Sequence, residues 1–190
     1  MTSWKKYIFG CAVGNILEWY DFILYGFFAS TLAKLFFPTQ DHFIALLLTF
    51  TIFASGCLIR PLSGVVFGYI GDKFGRKKAL VYSIGLITIA TTLMGALPTY
   101  ATVGVAAPLL LVICRLLQGV AVSGEEIGAA IMLAENASPK QQNFVGSIIL
   151  SSVYLGLFLG AATALVMHLF TSPEFMLTWG WRIPFLSTSV

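Results

Sequence analysis

Six charged side chains lie inside long apolar runs of the sequence: Glu18, Asp21, Arg60, Arg115, Glu125 and Glu126. A charged side chain that faced lipid would cost a few kcal/mol on an insertion scale. We therefore expect all six to face a bundle interior or a water-filled cavity, where ionisable groups bind solutes or move protons. The alternative is that they form ion pairs whose only role is to join two helices.

Glu18 and Arg60 are predicted partners because their depths match. Glu18 lies eleven residues after the start of the first apolar run, and Arg60 lies ten residues before the end of the second. A helix rise of 1.5 Å per residue places both about 15–17 Å deep. Asp21 follows Glu18 by three residues and shares its helix face. We expect Asp21 either to associate less directly with Arg60 or to carry a titratable proton.

Arg115 is a lone arginine about ten residues into its apolar run, near the midplane. A planar guanidinium binds a carboxylate through two hydrogen bonds. Its expected partner is either a substrate carboxylate or a protein carboxylate awaiting a proton. Glu125 and Glu126 are adjacent, so on a helix they point about 100° apart. One of them is expected to face the cavity and the other a neighbouring helix.

The elements that must position these charges are predicted to be five transmembrane helices and part of a sixth. Pro38 and Pro98 end the first and third. The last stretch reaches about 18 Å, short of a hydrocarbon core of about 30 Å, so we expect truncation within helix 6. All spans form a single transmembrane domain, residues 1–190, with these approximate bounds: 7–37, 43–70, 79–97, 105–133, 144–170 and 179–190.

Composition supports an all-α polytopic membrane protein. The 190 residues are 58% hydrophobic and 10% charged, with a mean hydropathy of +0.89, whereas soluble domains carry about 25% charged residues. A water-soluble enzyme or a nucleic-acid-binding protein is therefore excluded. Three cysteines without framework spacing, Cys11, Cys57 and Cys114, are predicted to be buried free thiols with no disulfide or metal. His42 and His168 are isolated and are not expected to be ligands.

Basic residues in the short loops predict the orientation. Cytoplasmic loops carry an excess of Lys and Arg, which places the N-terminus in the cytoplasm. The first run contains two acids and lacks a cleavage site, so it is interpreted as a retained span rather than a signal peptide. Trp179 and Trp181 are then expected at the outer interface. Only Lys34 and Arg182 lie on the outer side. The cytoplasmic side carries seven basic residues: Lys5, Lys6, Lys73, Arg76, Lys77, Lys78 and Lys140.

Glycine pairs in three of the spans predict close helix packing, since glycine lets backbones approach one another. We interpret them as packing residues. They are Gly64 and Gly68, Gly119 and Gly124, and Gly156 and Gly160.

Several segments carry a family resemblance. Residues 68–78, GYIGDKFGRKK, resemble the signature loop between helices 2 and 3 of the major facilitator superfamily, and residues 115–124, RLLQGVAVSG, resemble its helix-4 motif. Residues 14–22, 60–62 and 179–185 are similar to the metabolite–proton symporter branch, which includes proline/betaine transporters.

The resemblance implies twelve helices in two six-helix halves with a substrate cavity between them, of which this chain is the N-terminal half. It implies proton-coupled symport of a small zwitterionic or carboxylate solute, such as proline, betaine or an organic acid, by alternating access in a bacterial inner membrane. The implied partners are the solute, the proton and the lipid bilayer, with no cofactor, enzyme activity or nucleic acid. The alternative is a truncated or split half-transporter that is inactive without a separate C-terminal half.

The resemblance also implies roles for individual residues. Asp72 and Arg76 lie four residues apart, a spacing at which a helical ion pair forms. A second acid after Glu125 departs from the family pattern and leaves the identity of the solute open. The resemblance implies a cytoplasmic gate formed by Asp72, Arg76 and Glu135. The charges within the apolar runs supply the other expected sets: proton coupling by Glu18, Asp21 and Arg60, and substrate binding by Arg115, Glu125 and Glu126.

Overall fold

The computed structural model describes the backbone of residues 3–136 and 139–189 and the side chains of residues 8–122 and 142–188. Within these ranges the chain is helical and contains no strand. A π-helical turn, Met176–Gly180, precedes the last α-helix, and a 3-10 turn, Ser187–Ser189, follows it. The α-helices are α1 (Ser3–Phe36), α2 (His42–Leu58), α3 (Arg60–Phe74), α4 (Arg76–Ala96), α5 (Tyr100–Val103), α6 (Ala106–Asn136), α7 (Pro139–Phe170), α8 (Pro173–Phe175) and α9 (Arg182–Leu186).

The long helices cover ranges similar to the first five predicted spans, with one division that the apolar pattern did not indicate. That these helices cross a membrane stays a prediction. The second predicted span is two helices, α2 and α3, which meet at Ile59. Pro61 explains the division, because proline has no amide N–H and its ring clashes with the carbonyl four residues earlier.

Local features explain two helix ends. The Asp41 carboxylate accepts a hydrogen bond from the Phe43 amide at 2.8 Å and so caps α2. Only Gly75 separates α3 from α4, so the loop expected there is a single residue. Its φ of +99° lies in a region that L side chains rarely adopt, which explains why glycine occupies this position.

Helix α6 lies against α2, α3 and α4, while α1 packs along α7 and also contacts α2 and α6. The backbones of α2 and α6 touch where they cross. A Cβ atom on Gly119 would overlap the carbonyl oxygen of Gly56 and lie 2.6 Å from Cγ2 of Ile59. A Cβ on Gly156 would lie 2.6 Å from the carbonyl oxygen of Ile16, so α7 also approaches α1 closely.

One large apolar core joins α1 to α6 and α9. Trp181 is 0% exposed and lies with its ring edge-on to Phe36 and Phe185. The expectation that Trp181 anchors the helix at the membrane interface is therefore wrong, because its indole fills the core. Trp179 remains 61% exposed. Arg182 donates a hydrogen bond to the Gly95 carbonyl at 2.9 Å, which ties α9 to the end of α4.

Much of the outer surface is apolar. Among the described residues, three helical segments are long and apolar enough to cross a membrane: residues 42–74, 76–96 and 142–170. Large apolar side chains stay exposed along them, which suits a hydrocarbon solvent. Examples are Phe43, Leu47, Val65, Phe144, Phe158 and Phe170.

Candidate binding and proton-coupling site

The predicted pair of Glu18 and Arg60 is present. Oε1 of Glu18 lies 3.7 Å from Nη2 of Arg60, and this ion pair joins α1 to the first residue of α3. The Glu18 side chain is 2% exposed and that of Arg60 is 28% exposed. The matched depths inferred from helix rise thus identified partners on two consecutive predicted spans, which the structure shows as α1 and α3.

Asp21 forms a second ion pair, with Arg115 of α6. Its Oδ2 lies 3.2 Å from Nη1 of Arg115, and both side chains are at most 5% exposed. This corrects the expected association of Asp21 with Arg60. Three helical residues advance by 300°, which leaves Asp21 about 60° around α1 from Glu18 and directed at a different helix. Of the two partners expected for Arg115, the structure contains the protein carboxylate.

A polar pair from α4 and α6 flanks the Asp21 carboxylate. Nε2 of Gln118 donates a hydrogen bond to Oγ1 of Thr91 at 2.9 Å. Both side chains lie close to Asp21 and are at most 3% exposed. Helices α1, α4 and α6 therefore converge on one carboxylate.

Aromatic rings cover the Arg115 guanidinium. Its central carbon lies 3.6 Å from the ring centroid of Tyr25 and 5.3 Å from that of Phe53. The Tyr25 hydroxyl donates a hydrogen bond to the carbonyl of Thr49 at 2.9 Å. The cation thus lies between a carboxylate and two aromatic side chains.

A cavity of about 30 Å³ lies beside the two ion pairs, which is room for about one or two water molecules. Among the described residues, several buried polar atoms at this cavity have no hydrogen-bond partner: Oδ1 of Asp21, Nε and Nη2 of Arg115, and Oε1 of Gln118. Nε and Nη2 are the two donors that a guanidinium uses to bind a carboxylate side-on. The cavity is lined by Glu18, Asp21, Phe22, Phe53, Gly56, Cys57, Arg60, Ile87, Arg115, Gln118, Gly119 and Val122.

Asp72 and Arg76 form the ion pair that their spacing predicts. The pair spans the junction at Gly75, with Asp72 in the last turn of α3 and Arg76 at the start of α4. Gly71 makes room for the arginine, since a Cβ there would lie 2.7 Å from Nη1 of Arg76.

Three of the predicted site residues lie outside the described side chains: Glu125, Glu126 and Glu135. Of the cysteines, Cys11 and Cys114 are buried as expected, whereas Cys57 is exposed at the cavity. In the part of the chain that the structure describes, no group of three or more His, Cys, Asp or Glu side chains is placed to hold a metal ion.

Sequence reasoning assigned no role to Tyr25, Phe53, Thr91 or Gln118. Two of them could have been found from spacing. Tyr25 follows Asp21 by four residues and Gln118 follows Arg115 by three, so each shares a helix face with a charge already identified. Phe53 and Thr91 carry no such signal, because no charged residue lies within one helical turn of either on α2 or α4.

Comparisons with known proteins agree with this architecture. The sequence profile of the family described as "Sugar (and other) transporter" matches residues 7–190. The chain is 41% identical over 181 residues to the proline/betaine transporter of Salmonella typhimurium, covering 95% of this chain and 36% of that protein. It is 40% identical to the shikimate transporter of Escherichia coli, covering 98% and 43%. It is 39% identical to the citrate-proton symporter of Klebsiella pneumoniae, covering 91% and 39%.

Solved structures share the fold. The xylose transporter XylE from E. coli, in a partially occluded inward-open conformation, matches with a TM-score of 0.84 at 20% identity. That match covers 96% of this chain and 46% of the transporter. The expected fold class, a helical half of the major facilitator superfamily fold, is thereby confirmed. The chain spans less than half the length of the relatives named here. It belongs to the sugar (and other) transporter family.

Proposed function

We propose that the protein is the N-terminal half of a secondary transporter that moves a small zwitterionic or carboxylate solute together with a proton. Transport proceeds by alternating access and requires a second six-helix half. The names of the relatives support this class of solute: proline/betaine, shikimate and citrate-proton transporters are all among them. The protein resides in a bacterial inner membrane as a multi-pass protein with its N-terminus in the cytoplasm.

The buried Asp21–Arg115 pair is the observation that carries this proposal. A buried ion pair stabilises a fold weakly, because desolvation of two charges offsets their attraction. The pair is kept despite this cost, and it lies beside a cavity. Two side-on donors of the guanidinium are unused by the described residues, so Arg115 can exchange Asp21 for another carboxylate. In our proposal, a proton neutralises Asp21 and Arg115 is released to bind the carboxylate of the solute.

Other residues take supporting roles in this proposal. Glu18 and Arg60 form the second proton-linked pair, and Glu125 or Glu126 completes the solute cavity. Asp72, Arg76 and Glu135 form the cytoplasmic gate. The gate role of the first two is supported by their ion pair across the α3–α4 junction.

The test is uptake into proteoliposomes by the protein that contains both halves. Labelled proline, glycine betaine, shikimate and citrate are offered with and without an imposed pH gradient. We expect at least one solute to accumulate against its gradient. In Asp21→Asn or Glu18→Gln, the amide keeps the size of the side chain and removes the titratable proton. We expect one of these variants to lose accumulation while retaining part of the downhill exchange.

Asp41→Asn is the matched control. It also replaces a carboxylate by an amide, but at an exposed helix N-terminus away from the cavity, and asparagine caps a helix as well as aspartate does. We expect this variant to accumulate solute like the parent protein. If both Asp21→Asn and Glu18→Gln still accumulate solute, the proton-coupling role of these acids is wrong. If none of the four solutes is moved, the proposed solute class is wrong.

A further inference from the structure

The Arg115 guanidinium has two kinds of partner, and only one of them depends on a proton. The ion pair with Oδ2 of Asp21 at 3.2 Å requires an ionised carboxylate. The contacts with the rings of Tyr25, at 3.6 Å, and Phe53, at 5.3 Å, do not change when a nearby acid is protonated. A desolvated cation over an aromatic face is attracted by the quadrupole of the ring.

The rings are held in place without help from Arg115. Tyr25 is 0% exposed, and its hydroxyl is fixed by the 2.9 Å hydrogen bond to the Thr49 carbonyl on α2. Phe53, also on α2, stacks on Tyr25 with ring centroids 5.3 Å apart and an interplanar angle of 20°. The two rings therefore form a fixed surface between α1 and α2 on which the guanidinium of α6 rests.

We propose that Tyr25 and Phe53, here called the aromatic pair, are positioning residues that hold the Arg115 guanidinium in place while Asp21 is protonated. The proposal rests on the proposed function, in which Asp21 takes up a proton. Removing one partner of a buried ion pair is strongly destabilising, because the other charge is left without compensation. The aromatic pair reduces that cost and keeps Arg115 from leaving the cavity when its carboxylate partner becomes neutral.

The surroundings of Arg115 make the rings the main alternative partner among the described residues. Asp21 is the only described carboxylate within ion-pair distance of it. Glu18 lines the same cavity but lies 3.7 Å from Arg60, whose positive charge repels Arg115. The other titratable groups described at this level are the thiols of Cys57 and Cys114 and the phenol of Tyr25 itself.

A double-mutant cycle on thermal stability tests the proposal without any transport measurement. Tyr25→Leu, which removes the aromatic face, is introduced into the parent chain and into Asp21→Asn. Because the amide in Asp21→Asn carries no charge, the rings supply a larger share of the attraction on Arg115. We therefore expect the loss of Tm from Tyr25→Leu to be at least about twice as large in that background.

Unfolding is followed with a thiol-reactive fluorophore in detergent. Cys11 and Cys114 are buried and react only when the fold opens, and every variant carries Cys57→Ser to remove the exposed thiol.

Three further variants make the result specific. Phe28→Leu removes another buried ring of α1, one that contacts Phe185 and not Arg115, and should lower the Tm equally in both backgrounds. Tyr25→Phe keeps the ring and should show no extra loss in Asp21→Asn. If Tyr25→Leu does not fold in Asp21→Asn, Phe53→Leu repeats the cycle at the weaker 5.3 Å contact, with a smaller excess loss expected.

Equal Tm losses in the two backgrounds for Tyr25→Leu, or for Phe53→Leu where Tyr25→Leu does not fold, would overturn the proposal. This outcome is separate from the fate of the proposed function. If uptake is normal but the loss of Tm is no larger in Asp21→Asn, only the role of the aromatic pair is refuted. If uptake fails but the loss of Tm is clearly larger in Asp21→Asn, only the transport proposal is refuted.

Discussion

Gly119→Ala tests whether the crossing of α2 and α6 sets the geometry of the site. The added Cβ would overlap the carbonyl oxygen of Gly56 and lie 2.8 Å from its carbonyl carbon. These are backbone atoms, which cannot rotate away. To restore a carbon–carbon contact of about 3.5 Å, the two helices must separate by on the order of 1 Å. Overpacking of this kind costs about 1–3 kcal/mol of stability.

The displacement reaches the functional residues directly, because Arg115 lies one helical turn before Gly119. Its carbonyl oxygen is the nearest neighbour that a Cβ on Gly56 would meet, at 2.9 Å. A misplacement of about 1 Å can lower the rate of a process that depends on geometry by about 100-fold. We therefore expect Gly119→Ala to lower the Tm in detergent and to reduce solute uptake at least about tenfold in the protein with both halves.

Gly85→Ala in α4 is the matched control, since nothing lies within 4 Å of its Cβ position. Alanine is a better helix former than glycine by about 0.5–1 kcal/mol, so this variant should be as stable as the parent or more stable. If Gly119→Ala is as stable and as active as Gly85→Ala, the crossing of α2 and α6 does not constrain the site.

Two further predictions concern solute binding and orientation. Arg115→Lys keeps the charge but loses the planar guanidinium, and we expect uptake to fall at least about tenfold with normal membrane insertion; unchanged uptake would leave Arg115 a structural role only. A reporter active only in the cytoplasm should work when fused after Lys78 or Lys140 and fail after Asp41 or Ala101. The reverse pattern would overturn the orientation inferred from the loop charges.

Features that depend on distance along a helix could be predicted from the sequence. The rise per residue is constant, so counting residues placed Glu18 and Arg60 at one depth, and they are paired. The ion pair of Asp72 and Arg76 was expected from their spacing on one helix. It is present, but it joins α3 to α4 across Gly75. Helix ends near Pro38 and Pro98 follow from the loss of an amide donor.

Features that depend on rotation about a helix axis, or on contacts between distant helices, could not be predicted in this way. Asp21 points about 60° around the α1 axis from Glu18, and this angle decides its partner. The angle identifies Arg115 only when the positions of α3 and α6 around α1 are known. Trp181 has an interfacial composition signal, yet it is buried because Phe36 and Phe185 surround it. To predict the contact of Gly119 with Gly56, one must likewise know where α2 and α6 cross.

The two acids of α1 differ in what protonation would leave behind. Arg60 is 28% exposed, so its charge is less enclosed by protein when Glu18 becomes neutral. Arg115 is 5% exposed, and without an ionised Asp21 the described groups that still attract its charge are the aromatic rings and neutral hydrogen-bond acceptors. Protonation of Asp21 therefore changes the forces between α1 and α6 more than protonation of Glu18 changes those between α1 and α3. In the proposed function, we therefore expect the coupling proton at Asp21 rather than at Glu18.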